Sequence, residues 1–126
     1  MFLSQAVLQH MQNAETVLDL CAAPGGKSTL LRQFLPTDCL LVSNEIVRSR
    51  AYVLAENLSK WGHENVFVSN NASEDFVALG AYFDAIVVDA PCSGEGMFRK
   101  DKTAIEEWSV ANVEMCVKRQ REILEN

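Results

Sequence analysis

The stretch Val17-Leu18-Asp19-Leu20-Cys21-Ala22-Ala23-Pro24-Gly25-Gly26-Lys27-Ser28-Thr29 decides how the chain is read. An apolar run, Val17–Cys21, breaks into small residues and two glycines. Leu30, Leu31 and Phe34 then follow at helical spacing, and Pro36 stops the pattern. This predicts a buried strand, a tight turn and a helix over Gly26–Leu35. Small residues let backbone approach a ligand closely, and a helix start offers N–H groups without partners. The turn is therefore a candidate binding loop.

Three further apolar runs lie downstream: Cys39–Val42, Val66–Val68 and Phe83–Val88. They are nearly continuous, which suits parallel strands buried on both faces. Between them, Val47, Ala51, Leu54, Leu58 and Trp61 mark one face of a helix over Ile46–Trp61, which Gly62 closes. A short helix is expected around Glu74–Leu79, and the tail from Thr103 to Asn126 reads as helical. In that tail Val110, Val113, Cys116, Val117 and Ile123 share one side. Strand–helix alternation predicts an α/β fold, a parallel sheet with helices on both faces. No repeat or linker divides residues 1–126, so one domain or part of one is expected.

With 126 residues, 48% hydrophobic and 22% charged, the composition is that of a globular chain and excludes a disordered or low-complexity one. No apolar stretch approaches the roughly 20 residues of a membrane span, and the start Met1-Phe2-Leu3-Ser4-Gln5 carries no secretory pattern. Cys21, Cys39, Cys92 and Cys116 form no Cys-x-x-Cys pair and no cluster with metal-ligand spacing. Reduced thiols, a cytoplasmic location and no metal are the expectations. The net charge of −6 is uneven: residues 1–98 hold five bases against eleven acids, and residues 99–126 hold six of each. Such a chain does not advertise phosphate contacts, so a polynucleotide partner would need attraction from other segments. His10 and His63 read as surface residues, Trp61 and Trp108 as packed or half-buried ones, and Lys118, Arg119 and Arg121 as a solvated helix face.

Ligands of open α/β sheets bind beyond the carboxyl ends of the strands. After the second run, Ser43-Asn44-Glu45 puts Glu45 where a carboxylate can accept from both ribose hydroxyls of a nucleoside, or sit favourably at a helix N-terminus. After the third, Ser69-Asn70-Asn71-Ala72-Ser73 offers either asparagines for an adenine edge or a polar turn. After the fourth comes Asp89-Ala90-Pro91-Cys92-Ser93-Gly94-Glu95-Gly96, which places the Cys92 thiol for chemistry rather than packing. One alternative is a P-loop nucleotidase, since Gly26-Lys27-Ser28 and Ile86-Val87-Val88-Asp89 match parts of that pattern. Against it, Cys21 stands where the first glycine belongs, and Pro24 removes an amide from the loop.

Val17–Lys27 resembles the cofactor loop of the RNA cytosine-C5 methyltransferases of the Sun/Fmu type, and Asp89–Gly96 resembles that family's first catalytic motif. Met97-Phe98-Arg99-Lys100-Asp101 and Gln120-Arg121-Glu122-Ile123-Leu124 are similar to bacterial members acting on small-subunit ribosomal RNA. The resemblance implies a Rossmann-like fold with strand order 3-2-1-4 and S-adenosylmethionine as cofactor. It implies that Cys21, Ala22, Ala23, Pro24, Gly25, Gly26 and Lys27 surround the methionine part, and that Glu45 takes the ribose, with Arg50 in support. Asn71, thirteen residues before Asp84, takes the adenine-edge place that the family gives to Asp, and Asp89 lines the site between cofactor and base.

In this family a thiolate adds to C6 of cytosine so that C5 can attack the cofactor's methyl group. A second thiol, here Cys92, helps release the methylated base. The attacking cysteine belongs to a Thr-Cys motif, and no Thr-Cys pair occurs in the chain. The chain thus resembles a middle slice of a larger enzyme, incomplete for catalysis, with RNA-binding parts elsewhere. An inactive cofactor-binding or interaction module is a second alternative. As a slice it would leave the fourth strand as an exposed edge, inviting self-association.

Overall fold

The computed structural model describes residues 2–94, 102–106 and 108–125. It divides into one compact unit reaching to Asp89 and a second beginning at Ala90. The first unit runs α1 (Phe2–His10), β1 (Thr16–Asp19), α2 (Gly26–Phe34), β2 (Leu40–Asn44), α3 (Arg48–Trp61), β3 (Val66–Ser69), a 3-10 segment (Ser73–Leu79) and β4 (Ala85–Val87). The second holds α4 (Lys102–Glu106) and α5 (Val110–Glu125).

The four strands form one parallel sheet in the order β3-β2-β1-β4, as the resemblance implies. In register, Val17 of β1 lies beside Leu41 of β2 and Ala85 of β4, and Leu41 beside Val66 of β3. This row faces the helices: Val17, Leu31, Leu41, Val7, Leu35 and Cys39 form one core with Val66, Ala85 and Val87 packed on it. Ala22, Leu54 and Leu58 form a second core under α3, against Val66 and Val68. Each fully buried Val or Leu contributes about 1.5–3 kcal/mol relative to exposure.

In this unit α1, α2 and α3 share one face of the sheet. The reason is topological. The chain steps from β1 to β2 to β3 in one direction, and successive right-handed crossovers then put α2 and α3 on the same side, where α1 packs beside α2.

The ends of elements differ from expectation by a few residues. β4 is confined to Ala85–Val87, where it pairs with β1, its one sheet neighbour among the described residues. α3 begins at Arg48 and closes on Gly62 at φ 65°, the left-handed conformation glycine adopts without strain. Ala51, Leu54 and Leu58 are buried as expected, but Trp61 is 62% exposed. It sits on the last turn above β3, an edge strand, where the helix runs out of cover. Trp108 is 41% exposed, close to the half-buried expectation.

The expected tail helix is two helices. Ser109 interrupts it: its hydroxyl accepts from the Asn112 amide at 3.2 Å, and its carbonyl accepts from the Val113 amide at 3.1 Å. A serine so placed caps a new helix better than it continues an old one. Along α5, Asn112, Val113, Cys116, Gln120 and Ile123 are half-buried, while Val110 and Val117 are exposed.

One side chain the sequence reading passed over holds the α2–β2 corner. Arg32 is 3% exposed, and its guanidinium donates to the carbonyls of Leu35, Pro36 and Cys39. A cation at a helix C-terminus offsets the partial negative charge there and satisfies carbonyls the helix leaves unpaired.

Candidate functional site

The carboxyl ends of β1, β2 and β3 meet at Asn44, the last residue of β2 and 2% exposed. Its amide nitrogen donates to the carbonyls of Leu20 (3.2 Å) and Asn71 (3.0 Å). Its amide oxygen accepts from Ser69 Oγ (2.9 Å) and from the Asn71 amide (3.0 Å). Its backbone carbonyl accepts from the Ala22 amide at 2.8 Å. One buried carboxamide therefore ties the loops after β1 and β3 to the end of β2. An asparagine ending an apolar strand was the sequence signal for this hub.

The loop Cys21–Gly25 is held from α3. Arg50 Nη2 donates to the carbonyl of Ala23 (3.1 Å), and Asn57 Nδ2 to that of Pro24 (2.8 Å). The Ala23–Pro24 peptide is cis. Gly25 has φ +111°, and a Cβ there would stand 3.2 Å from Leu54 Cδ1. Glycine is thus required both by conformation and by the close approach of α3. Gly26 begins α2, and a Cβ there would meet nothing within 4 Å.

Glu45 is 3% exposed. Its Oε1 accepts from the Val47 amide at 3.0 Å, and its Oε2 lies 3.4 Å from Arg50 Nη1. The carboxylate thus serves the start of α3, as one reading of the sequence had it. Asn70 Nδ2 donates to the carbonyls of Glu45 (2.6 Å) and Ile46 (2.9 Å), drawing the loop after β3 against the loop after β2.

Asp19, inside the apolar run of β1, is fully buried. Its Oδ2 accepts from Ser28 Oγ at 2.7 Å, and its Oδ1 has no partner among the described residues. Burial pushes its carboxyl up to about 6, against the pull of the Ser28 hydrogen bond and the Lys27 ammonium. An acidic residue within an otherwise apolar strand was the signal that could have singled it out. Cys21 is half-buried, and its thiol is pushed up first by burial and then by the carboxylates of Glu45, Asp19 and Asp89. Those surroundings keep it protonated and unsuited to attack.

Lys27 and Asp89 form an ion pair, each about half exposed, that joins the loop after β1 to the loop after β4. The structure thus brings Cys21–Lys27, Glu45, Arg50, Asn71 and Asp89 to one end of the sheet. Cys92 belongs to the second unit, where its side chain is exposed. In the same unit Gln120 Nε2 donates to the Pro91 carbonyl at 2.8 Å. Glu95, Gly96 and the run Met97–Asp101 lie outside the described residues. Among the described residues no group of three metal-ligating side chains occurs, and no helix is long and apolar enough to cross a membrane.

A parallel sheet in this order, with a glycine loop after its first strand and a buried carboxylate after its second, defines a unit of the Rossmann-like class. Within that class, residues 6–126 match the family described as 16S rRNA methyltransferase RsmB/F, and the chain belongs to it. Membership sets aside the P-loop alternative.

The chain is 38% identical over 122 residues to Ribosomal RNA small subunit methyltransferase F of Pectobacterium atrosepticum, covering 96% of this chain and 25% of that protein. It thus spans about a quarter of the length of such relatives. A methyltransferase homolog protein from Pyrococcus horikoshii superposes with a TM-score of 0.71 at 29% identity, covering 92% of this chain and 35% of that one. NSun6 from Pyrococcus horikoshii, solved with SFG, superposes with a TM-score of 0.76 at 24% identity, covering 97% and 31%, and bears on the fold alone.

Proposed function

We propose that this chain is the cofactor-binding part of an enzyme that methylates C5 of a cytosine in RNA, with bacterial small-subunit ribosomal RNA as substrate. On this reading the work is cytoplasmic. The observation that carries it is the buried Glu45 carboxylate at the end of β2, steadied by Arg50 and the Val47 amide. A carboxylate so placed accepts hydrogen bonds from a ribose diol, as acidic residues do in Rossmann-like folds.

The surrounding residues fit S-adenosylmethionine. The first-turn amides of α2, which the helix leaves without partners, offer donors to its amino-acid end, and Asp19 Oδ1, without a partner among the described residues, is a buried acceptor nearby in β1. Asn71, tied by its backbone to Asn44 at the same end of the sheet, would take the adenine edge. When bound, the cofactor supplies an electrophilic methyl group on a sulfonium. Asp89, paired with Lys27, would line the space between cofactor and base. Cys92 would serve release of the methylated base rather than attack, because the attacking thiol of this chemistry sits in a Thr-Cys pair that the sequence does not contain.

Residues 1–126 then form a partial catalytic domain whose β4 edge a further strand would cover. Alone, that edge favours self-association. Isothermal calorimetry with S-adenosylmethionine tests the cofactor reading. The folded chain should bind, and Glu45→Gln should weaken binding about tenfold by removing a charged acceptor. A folded chain that gives no heat overturns it. Methyl transfer to cytosine-containing ribosomal RNA, assayed with labelled cofactor, should be absent or very slow.

A further inference from the structure

Asn71 is constrained at three points. Asn44 pairs with both its backbone amide and its carbonyl, each at 3.0 Å, from a position that is almost fully buried. Its side-chain nitrogen donates to Asp75 Oδ2 at 3.2 Å, and the same oxygen accepts from the Ala72 amide at 3.0 Å. Asp75 lies in the 3-10 segment, two residues after its start. A reversed Asn71 carboxamide would set its oxygen against the Asp75 carboxylate, so the donor end must face Asp75. The Asn71 oxygen is left as an acceptor, and among the described residues no donor reaches it. Both side chains are exposed at the sheet end that holds Glu45.

We propose that Asp75 is a positioning residue that sets base specificity: by holding the Asn71 nitrogen, it presents the Asn71 oxygen to the exocyclic amino group of adenine. This rests on the cofactor reading above. Adenine offers a donor at its 6-position, and hypoxanthine offers a carbonyl there. A fixed acceptor favours the first and repels the second. A free Asn71 could rotate and present either end, so discrimination depends on Asp75 as well as on Asn71. Ala72 capping alone would give Asp75 a role in stability and none in the choice of base.

The test is the ratio of affinities for S-adenosylhomocysteine and S-inosylhomocysteine, measured by calorimetry on the whole chain. The wild type should prefer the adenine compound. Asp75→Ala should reduce that preference about three- to tenfold, the range one hydrogen bond supplies. Asp75→Asn, whose amide oxygen can still accept from Asn71, should keep most of it. Circular dichroism checks folding, and if Asp75→Ala does not fold, Asn71→Ala carries the same expectation. A wild type that binds both compounds equally, or an Asp75→Ala variant with an unchanged ratio, overturns the inference and leaves the cofactor reading standing. A wild type that binds neither overturns the cofactor reading and the inference with it.

Discussion

Arg50 lies 3.4 Å from the buried carboxylate of Glu45 and at the same time donates to the carbonyl of Ala23, so one guanidinium joins the loops after β1 and β2. The planar fork makes this double contact possible, and a lysine cannot reproduce it. Arg50→Ala should weaken S-adenosylmethionine binding about tenfold, and Arg50→Lys should recover only part of the loss. Arg50 itself is half exposed, so the melting temperature should fall little in either variant. Calorimetry beside thermal melts checks both expectations. Equal affinity in Arg50→Ala and wild type would remove Arg50 from the site.

Asp19 should make stability depend on pH in an unusual direction. Its folded carboxyl titrates near 6, above its ordinary value of 3.8, because burial disfavours the charge. The folded state therefore holds the proton more tightly than the unfolded state. This contribution is fully present below about pH 4 and is lost as pH rises through about 6. The loss is on the order of 3 kcal/mol for a shift of this size. Asp19→Asn keeps an acceptor for Ser28 and has nothing to ionise. Urea titrations from pH 4 to 7.5 should show the wild type losing stability relative to Asp19→Asn across that window. Parallel curves for the two proteins would contradict the assigned titration.

The two glycines of the first loop should behave differently. At Gly25 any side chain meets both a left-handed backbone and Leu54 Cδ1, so Gly25→Ala should cost about 1–2 kcal/mol and displace the loop. Gly26 is the first residue of α2 with open space around it, so Gly26→Ala should leave stability unchanged or slightly raised. Binding separates structure from ligand contact: lost affinity in a stable Gly26→Ala protein would mark a close approach of the cofactor at that point. Chemical denaturation and calorimetry on the pair decide it.

How far the fold could be read from sequence depended on the kind of signal each element sent. Val17, Leu41 and Val66 lie in one apolar row of the sheet, and their runs were visible as short, nearly continuous apolar stretches; β1 and β2 are buried on both faces as expected, but the outer strands are not, since Phe67 of β3 and Ile86 of β4 are exposed. The strand order and the first loop were legible through the family resemblance of Val17–Lys27. The polar framework was not. Asn44, Arg32 and Asp19 act through three-dimensional contacts with residues up to 27 positions away, and no spacing rule reports those. The break at Ser109 was a local signal, a helix cap inside an apolar periodicity, and the periodicity outweighed it in the reading. Trp61 was misplaced because hydrophobic spacing marks a face but not where the covering layer ends.

Three of the four thiols, Cys92, Cys21 and Cys39, should alkylate in an order set by exposure and by thiolate availability. Cys92 is exposed on its loop. Cys39 is buried, and burial pushes its thiol up, against the pull of the nearby Arg32. Cys21 is half-buried, with its thiol raised by burial and by three carboxylates. Because the thiolate is the reacting form, both raised thiols are slowed twice, by access and by protonation. Iodoacetamide at pH 7.5, followed by peptide mass spectrometry, should label Cys92 well before Cys21 and Cys39. S-adenosylmethionine should further protect Cys21, whose loop it would cover. Labelling of Cys21 ahead of Cys92 in the folded chain would mean that the carboxylates around Cys21 do not hold its proton, and that this thiol, rather than Cys92, is the accessible nucleophile.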